Sequence, residues 1–370
     1  MRGVASIAGI GQTDFSKSSG RSELQLAAEA SLAALSDAGL SVDDVDGMVT
    51  FTIDPTEDNE LMRTLGVPQL SYSVRVPHGG AASAATVFAA ASAVATGVAR
   101  HVLVYRALNA RSGNRFGRAR NPASTPQRGT GWGFANWLAP YGALSPAAIL
   151  SLETLPWMRE RDLTNRDFAD YIVGIRDFAA TNPAAWFYER PITIEDHQAS
   201  RWIVEPMLRL FDCCQETDGG VALVVTSTER ARDLRQIPAV VLGAAQGVGQ
   251  DRESPVRAYA MAGLGPQDLD AAMIYDAFSP HVYMGLEALD ICKPADLKDF
   301  VASGAIARGG SLPVNTNGGL IGEAYLHGMN LITEAVRQVR GTAVNQVEDA
   351  EVVSMSSGTN VFILGRDRSS

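Results

Sequence analysis

The chain has 370 residues, 46% of them hydrophobic and 19% charged, with a formal net charge of −10. This length supplies one large core or two fused halves at about 100 to 200 residues per domain, and the acidic balance argues against broad nucleic-acid binding, which needs Lys and Arg to neutralise phosphates. No apolar run approaches the roughly 18 residues of a membrane span, and the start Met1-Arg2-Gly3-Val4-Ala5 lacks an apolar leader. The three cysteines, Cys213, Cys214 and Cys292, make neither a disulfide framework nor a CxxC metal pattern. A soluble cytoplasmic protein with no bound metal, no nucleic-acid partner and no membrane contact is expected.

In chain order, residues 4–11 form a β-branched and small apolar run that predicts a strand, and residues 23–38 show apolar positions at helical spacing, ending at Gly39. A strand is predicted over 45–53. Val74 then leads through Pro77-His78-Gly79-Gly80 into an Ala-rich helix over 81–99, followed by a strand over 101–105. The Ala-rich helix carries almost no charge, so it has no face for water and should lie between sheets. A basic stretch runs from Arg106 through Arg111, Arg115, Arg118 and Arg120 to Arg128, and reads either as a solvated loop or as a contact for an anionic ligand or partner. The five tryptophans, Trp132, Trp137, Trp157, Trp186 and Trp202, all fall between the strand at 102–105 and a strand at 221–225. They predict a satellite core, with an apolar ligand site as the alternative.

The chain repeats itself weakly. Ala38-Gly39-Leu40 with Asp43, Asp44 and Asp46 matches Ala262-Gly263-Leu264 with Asp268 and Asp270, and the helix after Gly79-Gly80 has a counterpart running from Gly318-Gly319 to Gly341. Two halves are expected, 1–228 and 237–370, the first with an insertion over about 106–210.

Three loops carry the chemistry. Tyr275-Asp276-Ala277-Phe278 and the segment Gly318-Gly319-Leu320-Ile321-Gly322-Glu323-Ala324-Tyr325-Leu326-His327-Gly328 resemble the two histidine-bearing catalytic loops of the thiolase superfamily, with tyrosine at each histidine position. His78-Gly79-Gly80 resembles that superfamily's nucleophile elbow, with Gly80 where the acyl-accepting cysteine belongs, and Ser354 takes the place of a second cysteine. With the order of elements, the chain resembles thiolases over nearly its whole length, which implies a fold of duplicated βαβαβαββ halves stacked in five layers. Within the superfamily it is similar to the lipid-transfer-protein-like aldolases of bacterial steroid side-chain degradation. That resemblance implies a lyase performing retro-aldol cleavage of a β-hydroxyacyl-CoA, with a steroid side-chain thioester as the favoured substrate, giving a ketone and propionyl-CoA. It also implies coenzyme A as part of the substrate with no cofactor in the chain itself, a homodimer, and a small OB-fold, zinc-ribbon-type partner protein.

The residues agree with that implication. Gly80 offers no atom to acylate, whereas a retro-aldol step needs only a group to take the β-hydroxyl proton and donors to hold the departing enolate. Tyr275 and Tyr325 are the acid/base pair on this reading. For one of them to act as base its hydroxyl must become more acidic than the ordinary value of about 10, and the helix start near Tyr325 is a candidate source of positive potential. The space left by the missing cysteine would admit a bulky substituent, with N–H groups at the helix N-terminus available to an oxyanion. His78, Gly79, Gly80, Asp276, His327 and Gly358 are further pocket candidates. Asp276 is expected to orient its loop, and His327 either to tune Tyr325, to bind the thioester oxygen or simply to fill the core. His281 and the Cys213-Cys214 pair lie near the loops but are read as packing residues. The competing functions are a non-catalytic acyl-CoA-binding scaffold and a thiolase-fold acyltransferase using one of the three cysteines.

Overall fold

The computed structural model describes residues 2–77, 80–113, 115, 117, 135–249 and 251–367. The first half runs β1 (Ala5–Gln12), α1 (Glu23–Ala38), β2 (Gly47–Phe51), α2 (Asp58–Leu65), β3 (Tyr72–Val76), α3 (Ser83–Ala95) and β4 (His101–Asn109). An insertion follows, with α4 (Ala135–Leu138), α5 (Pro146–Glu160), α6 (Asn165–Thr181), α7 (Ile194–Ala199) and a small ribbon of β5 (Trp202–Val204) and β6 (Leu208–Arg209). β7 (Asp218–Ser227) completes this half, and α8 (Thr228–Ala231) leads onward. The second half comprises β8 (Ala239–Ala245), α9 (Ser254–Ala262), β9 (Ala271–Ile274), α10 (Pro280–Ala288), α11 (Leu297–Ala302), α12 (Met329–Arg340), β10 (Val352–Ser357) and β11 (Asn360–Arg366).

The repeat seen in the sequence is structural. α1 and α9 both end in a left-handed glycine, Gly39 at φ 77° and Gly263 at φ 66°. Each is followed by a single 3₁₀ turn, Val42–Asp44 or Pro266–Asp268, and then by the strand β2 or β9. In that turn a carboxylate, Asp44 or Asp268, accepts the backbone N–H three residues earlier at 2.8 Å. The second half departs at its third strand, which shrinks to one parallel bridge between Ala272 and Val314. There the Asn315 side chain replaces the missing ladder, accepting from Ile274 N at 2.8 Å and donating to Ile274 O at 2.8 Å.

The strands hydrogen-bond in the order β3-β2-β4-β7-β1-β8-β11-β10-β9. The two half-sheets meet at Ser6–Val240 and Ile7–Ala239 across β1 and β8, with Gly3 N–H donating to Val241 O at 3.0 Å just before β1. α3 and α12 both pack against strands of the two half-sheets, while α1 covers the outer face of the first and α9 that of the second. This is the five-layer arrangement, and it accounts for the composition of α3. Ala84, Ala85, Val87, Ala90 and Ala91 are fully buried, because small side chains let two sheets close on one helix.

Several boundaries differ from expectation. α3 begins at Ser83, after a 3₁₀ turn over Gly80–Ala82, and ends at Ala95. β10 and β11, beyond the strand expected at 221–225, form a hairpin that turns at Gly358 with φ 59°. β4 continues to Asn109, so Arg106 belongs to a strand and is fully buried, not part of a solvated insertion loop. Arg118, Arg120, Arg128 and Trp132 lie outside the described residues. The other tryptophans do not cluster: Trp137 is 80% exposed, Trp186 stacks under Lys17, and Trp202 under Arg209. The core of the insertion is built from Phe168, Ile172, Ile175 and Phe178 of α6 with Met207 and Leu208, continuous with the outer core of the second half. Among the described residues no helix is long and apolar enough to cross a membrane.

Candidate active site

Tyr275 follows directly on β9, and its N–H donates to Ser356 O at 2.9 Å, so the strand pairing with β10 fixes its backbone. Tyr325 arrives from the other side. Gly318 at φ 107° and Gly319 at φ 63° start a π turn over Gly319–Glu323, and the extended Ala324 then delivers Tyr325 alongside Glu216, with Tyr325 N–H donating to Thr217 Oγ1 at 3.0 Å. The two phenol oxygens stand 3.0 Å apart. Both rings are buried, leaving only 9% and 8% of the residues exposed.

The space beneath this pair explains Gly80. A Cβ placed on Gly80 would sit 2.0 Å from Tyr275 Oη and 2.4 Å from its Cζ, so any side chain there collides with the phenol. The expectation that the missing cysteine frees room for substrate is therefore wrong: the Tyr275 ring occupies it. The helix start is also partly used, since Ala84 N–H donates to Ser357 Oγ at 3.0 Å. Gly358 backs this turn, its missing Cβ facing Ala81 O at 3.2 Å. Ser354 is fully buried in β10; strand alternation turns it away from the central-layer face carried by Val353 and Met355. Two residues of that hairpin reach the site: Ser357 at the helix start, and Asn360, whose Nδ2 donates to Ala81 O at 2.7 Å. His78 and Gly79 lie outside the described residues.

Asp276 organises the loops. Its Oδ1 accepts Leu320 N–H at 2.8 Å and its Oδ2 accepts the Tyr171 hydroxyl at 2.8 Å, and a Cβ on Gly319 would lie 2.2 Å from that Oδ2. Tyr171 in turn accepts from Asn315 Nδ2 at 3.0 Å. One carboxyl thus ties the Tyr275 loop, the Gly-rich loop and α6 of the insertion. Burial raises it to about 7, against the opposing pull of the Leu320 and Tyr171 hydrogen bonds. Glu323 is likewise raised to about 7, chiefly by burial, and accepts from Asn182, Asn317 and Asn330.

The electrostatics keep both phenols protonated. Burial, then the neighbouring Tyr325, pushes Tyr275 well above the tyrosine range; burial, then Cys214, pushes Tyr325 up, with Arg106 acting in the opposite sense. Neither is a ready base, and each is a neutral O–H donor. The helix start proposed as a positive source is at Met329, four residues beyond Tyr325; the cation whose field reaches the phenol is Arg106. Its Nη1 pairs with Asp54 at 2.7 Å, both side chains fully buried, and its Nε–H donates to His327 Nδ1 at 3.0 Å. The His327 ring stands edge-on to Tyr325, centroids 5.1 Å apart. Arg106 and Asp54 are the residues that sequence reasoning missed, although one arginine inside the apolar run His101–Asn109 was the visible signal.

Burial holds three further candidates in their neutral forms. The His281 and Tyr275 rings lie 5.9 Å apart, and burial depresses His281 to about 4. Burial pushes the Cys213 thiol up to about 12 and Cys214 well above its usual value. Thiolate, the nucleophilic form, is scarce at both. Among the described residues no group of three or more His, Cys, Asp or Glu is arranged to hold a metal ion.

Two stacked β/α halves, with a pair of buried phenols at the start of the buried central helix, define the thiolase fold. The thiolase C-terminal domain-like family matches residues 248–363, and human mitochondrial 3-ketoacyl-CoA thiolase superposes with a TM-score of 0.68 at 15% identity over 98% of both chains, a likeness of fold alone. Closer relatives lack the thiolase name. The chain is 50% identical to the steroid side-chain-cleaving aldolase of Thermomonospora curvata over 99% of each chain. It is 49% identical to the 17-hydroxy-3-oxo-4-pregnene-20-carboxyl-CoA lyase of Mycobacterium tuberculosis over 98% of each. The Ltp2-ChsH2(DUF35) aldolase superposes with a TM-score of 0.93 at 49% identity, covering 100% of this chain and 99% of that one. The chain belongs to the family of steroid side-chain-cleaving aldolases.

Proposed function

We propose that the protein is a carbon–carbon lyase that cleaves a steroid side-chain β-hydroxyacyl-CoA by retro-aldol reaction. The observation that carries this is the pair of phenol oxygens 3.0 Å apart at a position where Gly80 is barred from bearing a nucleophile. In the reaction the β-hydroxyl loses its proton, the Cα–Cβ bond breaks, and its electron pair moves into the thioester enolate. A ketone is released, and protonation at Cα gives the shorter acyl-CoA, propionyl-CoA for a side chain with one methyl branch. Two buried hydroxyls suffice for the proton transfers and for holding the enolate, as no acyl-enzyme forms. Tyr275 and Tyr325 exchange the protons, and Asp276, Gly80 and Gly358 set their geometry.

Charge near the pocket supports a CoA thioester. Lys17 donates to Glu216 O at 2.7 Å, one strand position from Tyr325, and is lowered to about 8 by burial and then by Arg111. Arg115 pairs with Glu216 at 2.7 Å. Lys17 and Arg115 beside Glu216, with the field of Arg111 reaching Lys17, suit the phosphates of CoA. The chain divides, on this reading, into halves 1–228 and 237–370. The half-buried β3 at the sheet edge supports a homodimer, and the DUF35-containing assembly of the relative with TM-score 0.93 supports a small partner protein. Three free cysteines fit a cytoplasmic setting.

The test is incubation of the protein with a β-hydroxyacyl-CoA and mass detection of the shorter CoA ester. Tyr275→Phe and Tyr325→Phe should each lower kcat by about 10²- to 10⁴-fold, the usual worth of positioned acid–base groups. Wild-type rates in both variants would end this assignment, and binding without turnover would leave a scaffold.

A further inference from the structure

Arg106 is the largest fully buried side chain of the protein, and nothing in packing alone calls for a guanidinium in β4. A buried ion pair is costly unless its geometry is good and its remaining donors find partners. Here the pair is made to Asp54 at 2.7 Å, the guanidinium lies over the Phe51 ring at 5.5 Å, Nη2 has no hydrogen-bond partner, and Nε–H is spent on His327. An arginine cannot accept a hydrogen bond, so His327 Nδ1 must be the acceptor and, in the neutral ring, Nε2 carries the hydrogen. His327 is itself held at φ 52°, a left-handed conformation that few non-glycine residues adopt. Burial, then Arg106, keeps its ring neutral.

We propose that Asp54, Arg106 and His327 form a positioning relay for Tyr325, in which the Asp54–Arg106 pair fixes His327 as the Nε2–H tautomer and sets a permanent positive charge beside the phenol, stabilising the phenolate that Tyr325 becomes in turnover. The proposal rests on Tyr325 being one of the two proton-exchanging groups. When Tyr325 gives its proton to the enolate carbon, the O–H bond breaks, a C–H bond forms, and the pair stays on Oη. The proton is restored from the hydroxyl of the next substrate. Whichever tyrosine starts the cycle, Tyr325 passes through the phenolate, and Arg106 is a cation that offsets it without itself releasing a proton. A neutral His327 lets that field through where an imidazolium would exchange protons of its own. Aligned fixed charges of this kind act strongly because the site is dry.

The experiment combines imidazole ¹⁵N NMR with steady-state kinetics. In the wild-type protein the His327 signals, assigned by their loss in His327→Gln, should show one Nε2–H tautomer and no protonation down to pH 5. Arg106→Gln should mix the tautomers and lower kcat at least tenfold at neutral pH with KM changed less than twofold, while Arg106→Lys, which keeps the charge, should recover part of kcat. If Arg106→Gln fails to fold because Asp54 is stranded, Asp54→Asn/Arg106→Gln carries the same measurement without a buried net charge. An unmoved tautomer or an unmoved kcat in either folded variant overturns the relay. Wild-type activity in Tyr325→Phe would instead overturn the functional reading beneath it.

Discussion

Gly80→Ala puts the steric argument to a direct test. The added methyl carbon would stand 2.0 Å from Tyr275 Oη, and ordinary contact begins near 3.4 Å, so the phenol must retreat about 1.4 Å. Its backbone is pinned by Ser356, and Gly328 closes the other side, where a Cβ would already lie 3.1 Å from Tyr275 Cδ2. The ring therefore moves by leaving its rotamer or by displacing the Gly80 turn, an overpacking cost of about 1–3 kcal/mol. A change of rotamer takes the Tyr275 hydroxyl away from its 3.0 Å link to Tyr325, and a misplacement of about 1 Å at a reacting group costs roughly 10²-fold in rate. Urea midpoints and turnover of a hydroxyacyl-CoA read the two effects separately. On a Tyr275→Ala background, inactive in itself, the collision is absent, so adding Gly80→Ala there should cost little further stability. A Gly80→Ala protein with wild-type midpoint and wild-type kcat would refute the claim that Tyr275 fills the nucleophile position.

Four other outcomes follow from the site. Asp276 and Glu323 are both raised to about 7, so each holds a proton in the folded chain where the unfolded chain, at about 4, has lost it. Stability is full below about pH 4 and falls as pH rises toward 7, by at most about 1.4 kcal/mol per unit for each group. Asp276→Asn should flatten that slope in urea titrations at pH 5 and 7.5. Tyr171→Phe leaves Asp276 and Asn315 each short of a buried partner and should cost about 1–3 kcal/mol by the same assay. Iodoacetamide at pH 7 should leave activity intact, because Cys213 and Cys214 are held as thiols; loss of activity matched to labelling of either would revive a thiol mechanism. Lys17→Gln should raise KM for a CoA thioester much more than it lowers kcat, and equal KM values would remove Lys17 from the phosphate contact.

Local signals were legible where they complete themselves within a few residues. α1 runs over the predicted positions 23–38 because Ser22 caps one end, its side chain accepting from Gln25 N, and left-handed Gly39 ends the other. The Ala-rich α3 announced its own burial, and the loop resemblance brought Tyr275 and Tyr325 together, as their 3.0 Å contact bears out. What stayed hidden depends on partners far away in the chain. Arg106 looked like the first member of a basic loop because Asp54 and His327, which draw it inward, lie 52 and 221 residues away. Ser354 was credited with a family position on spacing, while strand parity assigns the site turn to Ser357. The second Gly-led helix begins late because the chain first makes a π turn to deliver Tyr325, a geometry that composition does not announce.

The contact between Gly80 and Tyr275 also limits the order in which such a site can arise. A β-carbon and a phenol oxygen compete for one volume, so a cysteine at 80 and a tyrosine at 275 disfavour each other, linked by negative epistasis. For a lineage changing one residue at a time, giving up the nucleophile first is the route that avoids the collision. An ancestor holding both residues would carry the overpacking of that contact, about 1–3 kcal/mol, and a displaced phenol.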